Sequence, residues 1–305
     1  MTAAVAVVTP CYNAAATLAA TLESALAQDV AADIVVVDDG STDGSLAVAR
    51  AFEPRVRVTT GPNRGVSAAR NTGIAITRAP WLVFLDADDL LAPGTLARRI
   101  ATAQESRADV VVCDWEDFAD DAPCVPRTLD WPAMGEDAER AIASHVWATT
   151  AALMYRRTLV EKVGGFRADL PVIQDARFMF DAARAGARFA HDAHVGAFYR
   201  IVAGSLSRRA PVRFWRDVLT NARQIEALWR TAEALSPARR RTLLAIYDQA
   251  ARGLFAAGDA DYFAALAAQR ALGLPLSRHA RASAPLARLV GLRAARALFQ
   301  LAGRR

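Results

Sequence analysis

The feature that most constrains the fold is a set of short, continuously apolar runs that alternate with helical stretches up to about residue 115. The runs Ile34–Val37 and Val110–Val112 are β-branched throughout and show no alternation of apolar and polar positions. Strands of this kind are covered on both faces, as in the parallel sheet of a doubly wound α/β fold. We therefore predict such a sheet, with its functional groups at the carboxyl ends of the strands.

The predicted elements divide the chain into an α/β region and a helical region. We predict strands at Ala4–Thr9, Asp33–Asp38, Arg55–Thr60, Trp81–Asp86 and Asp109–Trp115. We predict helices between them at Ala14–Gln28, Ser45–Phe52, Val66–Thr77 and Gly94–Ser106. An irregular excursion is expected over Ala119–Ala133, followed by a mixed region to about Ser207. Beyond Pro211, Ser236-Pro237 and Gly273–Pro275 divide an Ala/Leu/Arg-rich stretch into three or four helices. We expect two domains, 1–207 and 208–305.

Composition and charge place the chain among globular proteins and separate its two parts. Of 305 residues, 53% are hydrophobic and the formal net charge is +5, which excludes an intrinsically disordered chain. Residues 206–305 contain 18 Arg and six acids, a net +12, whereas residues 1–205 carry 19 basic and 26 acidic residues, a net −7. The two parts are therefore expected to have different tasks.

Cysteine usage and the amino terminus predict the location of the protein. The three cysteines are few and odd in number, which excludes a disulfide scaffold, and they are expected to be reduced thiols. The first residues lack the basic region of a secretory signal, and no window approaches the ~18 consecutive apolar residues of a membrane-spanning helix. We expect a soluble, cytoplasmic protein, with peripheral contact to the inner face of the membrane left open.

Acidic residues gather where the predicted strands end. The clusters are Asp38–Asp43, Asp86–Asp89 and the single Asp175. One such cluster alone would be read as a polar turn, and Asp43 or Asp89 could simply cap the next helix. Two clusters are harder to explain in this way, because neighbouring carboxylates repel each other until a cation or hydrogen-bond donors relieve the cost.

The two clusters together predict a metal-nucleotide site. Asp86-x-Asp88 can hold Mg²⁺ or Mn²⁺ by one or two oxygens and leave coordination positions for a diphosphate. The carboxylate pair Asp38-Asp39, at the end of the second strand, can accept hydrogen bonds from a ribose or from the N–H of a base.

Four ordered motifs make the chain similar to a known family. They are Val7–Asn13, Val36–Asp43, Asn63–Asn71 and Phe84–Asp89. In this order they resemble glycosyltransferase family 2, the inverting nucleotide-sugar transferases of GT-A fold. Two further segments resemble the family's acceptor loop with its base motif and the segment that closes its catalytic domain: Val163–Phe166 with Gln174-Asp175, and Tyr199-Arg200 with Ser205–Ser207. The resemblance covers roughly residues 4–207.

The resemblance implies roles for the residues that match the motifs. Thr9, Pro10 and Tyr12 would line the base pocket, with the Tyr12 ring against the nucleobase. Asp39 would accept the base N–H, and Arg70 would lie beside the base or the diphosphate. Of the remaining carboxylates, Asp86 would contact the ribose or the metal, Asp88 would bind the metal, and Asp89 is a third candidate for the ion.

The resemblance also implies the reaction. Asp175 would be the general base, although Gln174 stands where the family motif often has Glu. A divalent cation, Mn²⁺ or Mg²⁺, would be the cofactor, and a nucleotide sugar, in the first place a UDP-sugar, the donor. The acceptor would be a hydroxyl of a glycan or lipid-linked glycan in cell-surface polysaccharide synthesis. Processive members carry Gln-x-x-Arg-Trp and membrane-spanning helices, and this sequence has neither pattern, so one sugar per encounter is expected.

Elementary chemistry agrees with these roles. A divalent cation stabilises a departing diphosphate as an electrophile. A positioned carboxylate can remove the proton of the attacking hydroxyl. Direct displacement with one such base inverts the anomeric centre and needs no covalent intermediate.

Histidine and tryptophan give weaker signals. A lone His is more often structural than a ligand, but His191 or His194, which follow Phe189-Ala190, could contact the metal or the diphosphate. His145 and Trp147 precede Thr149–Met154, a stretch that is expected to face the acceptor. A Trp at such a place stacks on a sugar face or packs in the core.

The arginine-rich end leaves several partners to consider. After Asp261 the sequence has eight Arg and no acid. Anionic lipid headgroups attract such segments, and helical packing or a homodimer contact through the C-terminal helices explains the same residues. Nucleic acid is not expected as a partner, because the arginines are spread through Ala/Leu helices without an aromatic-rich basic stripe.

Other functions remain open alongside the glycosyltransferase. A sugar-1-phosphate nucleotidyltransferase would share the sheet, but its first loop usually has Gly and basic residues, and Pro10–Ala16 has neither. A phosphatase would place its acids after the first strand, unlike Asp86 and Asp88. Dinucleotide-binding and P-loop glycine patterns are absent from the sequence. A non-catalytic nucleotide-sugar-binding module would be favoured only if Asp175 lay far from the metal site.

Overall fold

A computed structural model of the protein describes residues 3–119, 122–144, 147–201, 210–232 and 235–302. These residues form two compact units. The first takes in the described residues of 1–132 and 147–202, and the second those of 133–146 and 203–305. The domain boundary between 207 and 208 stays a prediction.

The described part of the chain contains nine strands in one sheet. The strands are β1 Val5–Cys11, β2 Ala32–Asp38, β3 Arg57–Thr60, β4 Trp81–Phe84, β5 Leu90–Leu91, β6 Val110–Ala119, β7 Ala122–Arg127, β8 Leu153–Arg156 and β9 Phe189–Arg200. Their order is β3-β2-β1-β4-β8-β6-β9-β5, with β7 paired to β6. The helices before β9 are α1 Leu18–Leu26, α2 Ser45–Arg50, α3 Val66–Ile76, α4 Thr95–Ser106, α5 Trp131–Glu136, α6 Ala138–Ala143, α7 Arg157–Val163 and α8 Gln174–Arg184.

Strand direction brings three loops to one edge of the sheet. Strand β1 pairs in parallel with both β2 and β4, so the carboxyl ends of these three strands lie side by side. The loops that follow them carry the two acidic clusters. The predicted α/β class, with a helical region after it, is confirmed.

Two predictions about the middle of the chain are wrong. Val110–Val112 pairs in parallel with β9 but antiparallel with β8, so the sheet is mixed rather than parallel throughout. A continuous β-branched run reports burial on both faces and carries no information about strand direction. The expected irregular excursion over Ala119–Ala133 contains β7, which returns antiparallel along β6, and the start of α5.

Close packing of α3 on the sheet fixes the position of the side chains that this helix carries. Every residue of β1 is buried, and Ala69 of α3 packs with Val35 and Val37 of β2. A Cβ atom built on Gly73 would lie 2.2 Å from Cγ1 of Val8, so only glycine allows the helix to approach β1 this closely. Helix α3 is therefore held directly against the strands that end at the acidic loops.

The second unit is helical in its described residues. After β9 the helices are α9 Pro211–Ala232, α10 Pro237–Ala257, α11 Asp261–Ala271, α12 Arg278–Val290 and α13 Leu292–Ala302. Five helices stand where three or four were predicted, because Gly258 and Gly291, both with positive φ, add two breaks. Among the described residues, the helices are all too short or too polar to cross a membrane.

Candidate active site

Hydrogen bonds join the loops that follow β1 and β2. The Asp39 backbone N–H donates to the Cys11 carbonyl at 2.8 Å. Asn13 accepts from the Thr42 N–H at 2.8 Å, and its own N–H donates to Oγ of Ser41 at 3.0 Å. Asn13 has φ +52°, which suits a short polar residue in a tight loop. The sheet edge is therefore a connected surface.

The carboxylates of Asp38 and Asp39 are both occupied by protein donors. Asp38 accepts from Oγ1 of Thr60 at 2.7 Å and from the Ser41 N–H at 3.3 Å. Asp39 accepts from the backbone N–H groups of Arg64 and Gly65 at 2.9 and 2.7 Å. Asp39 thus fixes the entry into α3, and a base N–H would have to use the remaining lone pairs of its carboxylate.

The three residues expected to line a base pocket differ in exposure. Thr9 is fully buried, and its Oγ1 has no hydrogen-bond partner in the described structure. Pro10 is also buried within β1. Tyr12 is 51% exposed, so of the three it alone offers a large accessible surface to a ligand in this conformation.

Arg70 joins the second acidic loop to α8. Its guanidinium group is 1% exposed, forms an ion pair with Asp86, and donates to Oε1 of Gln174 at 2.5 Å. The guanidinium also lies 5.1 Å from the centroid of the Phe166 ring. A buried cation of this kind needs a charged partner, and Asp86 supplies it. The sequence predicted Arg70 for the site but not its bond to Gln174.

The three carboxylates after β4 have different surroundings. Asp86 is paired with Arg70 and accepts from Oγ1 of Thr150 at 3.3 Å. Asp89 is fully buried and accepts from Oγ1 of Thr149 at 3.1 Å and from the Arg200 N–H at 2.9 Å. The described residues provide no hydrogen bond from another residue to the partly exposed carboxylate of Asp88.

Electrostatics separates Asp88 from its neighbours. Burial and the charge of Asp86 raise the pKa of Asp88 to about 6. Burial, with the charges of Asp86 and Asp88, also raises the pKa of Asp89. The same three carboxylates contribute to a raised pKa of Tyr199, after burial as the main cause. The loop therefore has an excess of negative charge.

The donor set of this loop fits a hard divalent cation. Asp88 lacks a protein donor and Asp86 is partly exposed, so carboxylate oxygens, the ligands that Mg²⁺ and Mn²⁺ prefer, are available. The described residues contain no group of three His, Cys, Asp or Glu side chains that could hold a metal ion. A cation held by Asp86 and Asp88 would therefore complete its coordination with water or ligand oxygens. Asp89 is unsuited to that role, because it is fully buried and each of its carboxylate oxygens already accepts a hydrogen bond from the protein.

Asp175 lies in the first turn of α8, beside Arg70. Its Oδ1 accepts from the Ala176 N–H at 2.8 Å and its Oδ2 from Nε1 of Trp147 at 3.1 Å. Burial raises the pKa of Asp175, while the charge of Arg70 and these hydrogen bonds oppose the rise. The charge of Asp86 also acts on Asp175, so Asp175 belongs to the same cluster as the carboxylates of the loop after β4.

The histidines lie apart from this cluster. His191 is bonded to Asp114 at 2.8 Å and stacks on Trp131. His191 pairs with Val112 of β6, whereas Arg200 pairs with Phe118, six residues farther along the same strand. At the rise of a β-strand, His191 and Arg200 are therefore roughly 20 Å apart. His194 is bonded to Asp192 at 2.9 Å. We assign neither histidine to the site. His145 and Ser205–Ser207 lie outside the described residues.

The sequence predicted that Thr149–Met154, preceded by Trp147, faces the acceptor, but it did not predict the contacts of this segment with the three acids. Trp147, Thr149 and Thr150 contact Asp175, Asp89 and Asp86 respectively. The signal was a Trp and two Thr just before a buried strand. Its meaning depends on β8 pairing with β4, a contact between distant parts of the chain.

Comparison with known proteins places this geometry among glycosyltransferases. The family model described as "Glycosyl transferase family 2" matches residues 6–164. The succinoglycan biosynthesis protein ExoO of Rhizobium meliloti (strain 1021) is 32% identical over 210 residues, which cover 65% of this chain and 60% of that protein. The match thus spans less than two thirds of this curated relative.

Solved structures resemble the chain at low identity. The S. aureus TarS 1–349 complex with UDP superimposes with a TM-score of 0.68 at 18% identity, covering 99% of this chain and 92% of TarS. Its complex with UDP-GlcNAc gives 0.62 at 18%, covering 89% of each chain. The mannosyltransferase PcManGT of Pyrobaculum calidifontis, in complex with GDP-Man and Mn²⁺, gives 0.57 at 22%, covering 97% of this chain and 84% of PcManGT.

Proposed function

The chain belongs to glycosyltransferase family 2, and we propose that it transfers one sugar from a nucleoside-diphosphate sugar to an acceptor hydroxyl, with inversion at the anomeric carbon. Its α/β sheet has the GT-A fold of glycosyltransferases such as TarS. One observation carries the proposal. Arg70 bridges Asp86 and Gln174, and so joins the acidic loop to the helix that bears Asp175.

The proposed reaction uses two groups of carboxylates. Asp175 accepts the proton of the acceptor hydroxyl as its oxygen attacks the sugar. Asp86 and Asp88 would hold a divalent cation, which would stabilise the departing diphosphate. Tyr12 and Asp39 contact the base, Thr9 and Pro10 support the pocket behind them, and Arg70 keeps Asp86 oriented toward the ligand.

A UDP-sugar is the donor that we propose first. TarS has been solved with UDP and with UDP-GlcNAc, and PcManGT with GDP-Man, so both bases deserve testing. The name of ExoO, a succinoglycan biosynthesis protein, supports a role in polysaccharide synthesis. We propose a glycan or lipid-linked acceptor in cell-surface polysaccharide synthesis, on the cytoplasmic side of the membrane. If one sugar is added per encounter, a single acceptor gives one product mass. A long ladder of product masses would overturn this part.

Calorimetry and kinetics test the proposal together. A panel of UDP- and GDP-sugars is titrated with and without Mn²⁺, and release of the nucleoside diphosphate is then followed. Asp175→Asn keeps the volume of the side chain but cannot accept the proton, so kcat should fall by roughly 10²–10⁴ with donor affinity nearly unchanged. Asp33→Asn, at the partly exposed ion pair with Arg57, is the control. If Asp175→Asn instead loses donor binding, Asp175 has a binding role.

The alternatives make different predictions in the same assays. A nucleotidyltransferase would release pyrophosphate from a nucleoside triphosphate and a sugar 1-phosphate. A non-catalytic module would bind the nucleotide sugar and release nothing. A non-catalytic module would be favoured if Asp175 lay far from the proposed metal site. In this structure the charge of Asp86 acts on Asp175, so the two acids are close enough to interact.

We propose that the arginine-rich end binds an anionic membrane surface. Four apolar side chains of α12 and α13 are exposed: Leu289, Val290, Leu298 and Leu301. Arg281, Arg288 and Arg293 are exposed on the same two helices, and no acid follows Asp261 in the sequence. Each basic residue near an anionic surface contributes about 1 kcal/mol, and exposed leucines can enter the headgroup region.

Vesicle flotation distinguishes a membrane from a second copy of the chain. We expect the protein to float with vesicles that contain anionic lipid at low salt and to be released at high salt. Leu289→Ser with Leu301→Ser should weaken flotation without changing Tm. Absence of flotation at low salt would overturn membrane binding, and a concentration-dependent dimer by light scattering would then support the homodimer.

A further inference from the structure

Trp147 forms a hydrogen bond with the proposed general base. Its Nε1–H donates at 3.1 Å to Oδ2 of Asp175, while Oδ1 accepts from the Ala176 N–H at 2.8 Å. Each carboxylate oxygen thus has one donor and keeps a lone pair for a further proton or hydrogen bond. An indole N–H can only donate a hydrogen bond, and here its acceptor is the Oδ2 atom of Asp175.

Two aromatic rings hold the Trp147 ring. Trp115 of β6 meets it edge to face at 6.3 Å and 88°, and Tyr199 of β9 at 5.8 Å and 79°. Edge-to-face pairs have a defined geometry and fix the plane of the ring between them. The Nε1–H vector is therefore set by the sheet rather than by the loop in which Trp147 lies.

We propose that Trp147 is a positioning residue for Asp175, which orients the carboxylate and favours its charged form through the indole N–H. The inference rests on the proposed role of Asp175 as the general base. A hydrogen bond to the charged form of an acid lowers its pKa, and a fixed donor also restricts rotation of the carboxylate. The remaining lone pair of Oδ2 is then held in one orientation, available to the proton of an attacking hydroxyl.

The other groups that act on Asp175 come from four elements. Arg70 of α3 lowers its pKa, and Asp86 after β4 raises it. The phenols of Tyr155 on β8 and Tyr199 on β9 also interact with the charge of Asp175. The donor from Ala176 is a backbone N–H group, which a change of side chain does not remove. The hydrogen bond from the Trp147 side chain can be removed by substitution without changing a charge.

Nuclear magnetic resonance reads this hydrogen bond without any substrate. The protein is labelled with ¹⁵N-tryptophan, and Trp147→Phe identifies the indole Nε1–H resonance of Trp147. We expect that resonance to shift with pH as the carboxylate titrates, and the shift to vanish in Asp175→Asn. The Trp115 indole, buried and without a hydrogen-bond partner in the described structure, is the matched control and should not follow this titration. A Trp147 resonance that ignores pH, or that titrates equally in Asp175→Asn, overturns the proposal.

Kinetics then tests the consequence for the base. Trp147→Phe keeps an aromatic ring and removes the donor. With UDP-GlcNAc and Mn²⁺ as probe, UDP release should lose roughly tenfold in kcat at unchanged KM, and the acid limb of the pH–rate profile should move to higher pH. Trp131→Phe, at a tryptophan that stacks on His191 apart from Asp175, should leave that limb in place. An equal shift in both variants, or a loss confined to KM, would indicate a packing role or a sugar contact. If no donor is turned over, the proposed function fails, whereas the resonance titration still decides the hydrogen bond.

Discussion

The acidic loops after β2 and β4 carry similar residues at the same edge of the sheet and use them differently. In the first loop Asp38 and Asp39 each accept two hydrogen bonds from protein donors. In the second, Asp89 is satisfied in the same way, while Asp88 has no donor from another described residue and its pKa rises to about 6. Acidic clusters thus differ by the donors around them. A ligand site is indicated by the carboxylate that the fold leaves unsatisfied.

Asp88→Asn should have the largest effect, because it removes that carboxylate. We expect metal-dependent donor binding to weaken by at least about 100-fold and transfer to be abolished, while the fold is retained. Calorimetry with UDP, with and without Mn²⁺, measures the first effect. Asp33→Asn is a control, because Asp33 forms an ion pair with Arg57 at the start of β2, away from the carboxyl ends of the strands. Full activity of Asp88→Asn in chelator-treated buffer would show that the metal assignment is wrong.

Asp89→Ala should act on stability instead. It removes the acceptor for the Arg200 N–H and for Oγ1 of Thr149 in a fully buried place, and leaving such donors unsatisfied costs about 2–3 kcal/mol. Urea unfolding monitored by circular dichroism gives the change in free energy. A loss of metal affinity without a loss of stability would place Asp89 with Asp88 as a ligand.

The smallest expected effect is a gain in stability of the metal-free Asp88→Asn variant. The folded pKa of about 6 lies above the ordinary value of 3.8, so the unfolded chain releases this proton first and stability falls between about pH 4 and pH 6. At pH 7 the Asn variant avoids this repulsion. We expect about 1 kcal/mol, or a Tm higher by about 2–4 °C in chelator-treated buffer. The gain should shrink as the pH falls and disappear near about pH 3, where both states bind the proton; a gain that is constant with pH would have another cause.

The sequence predicted those parts that depend on local patterns. The runs at β1, β2 and β4 are short and apolar, and the acids directly follow them, so the strands and the acidic edge could be predicted. The direction of β6 could not be, because burial on both faces suits either direction. The contacts of Trp147, Thr149 and Thr150 with the acids could not be predicted either, since their partners lie up to 64 positions away and the two threonines meet theirs only after β8 pairs with β4.

The absence of a side chain at Gly73 sets the separation between two parts of the site. Val8 occupies the space that a Cβ atom would need, so α3 lies at the closest distance from the sheet that its backbone allows. Arg70 is one turn away on the same helix and reaches both Asp86 and Gln174. The residue at position 73 therefore sets the distance between helix α3 and the sheet. Substituting Gly73 with Ala while shortening Val8 would allow an engineer to adjust the reach of the arginine without altering any charged group.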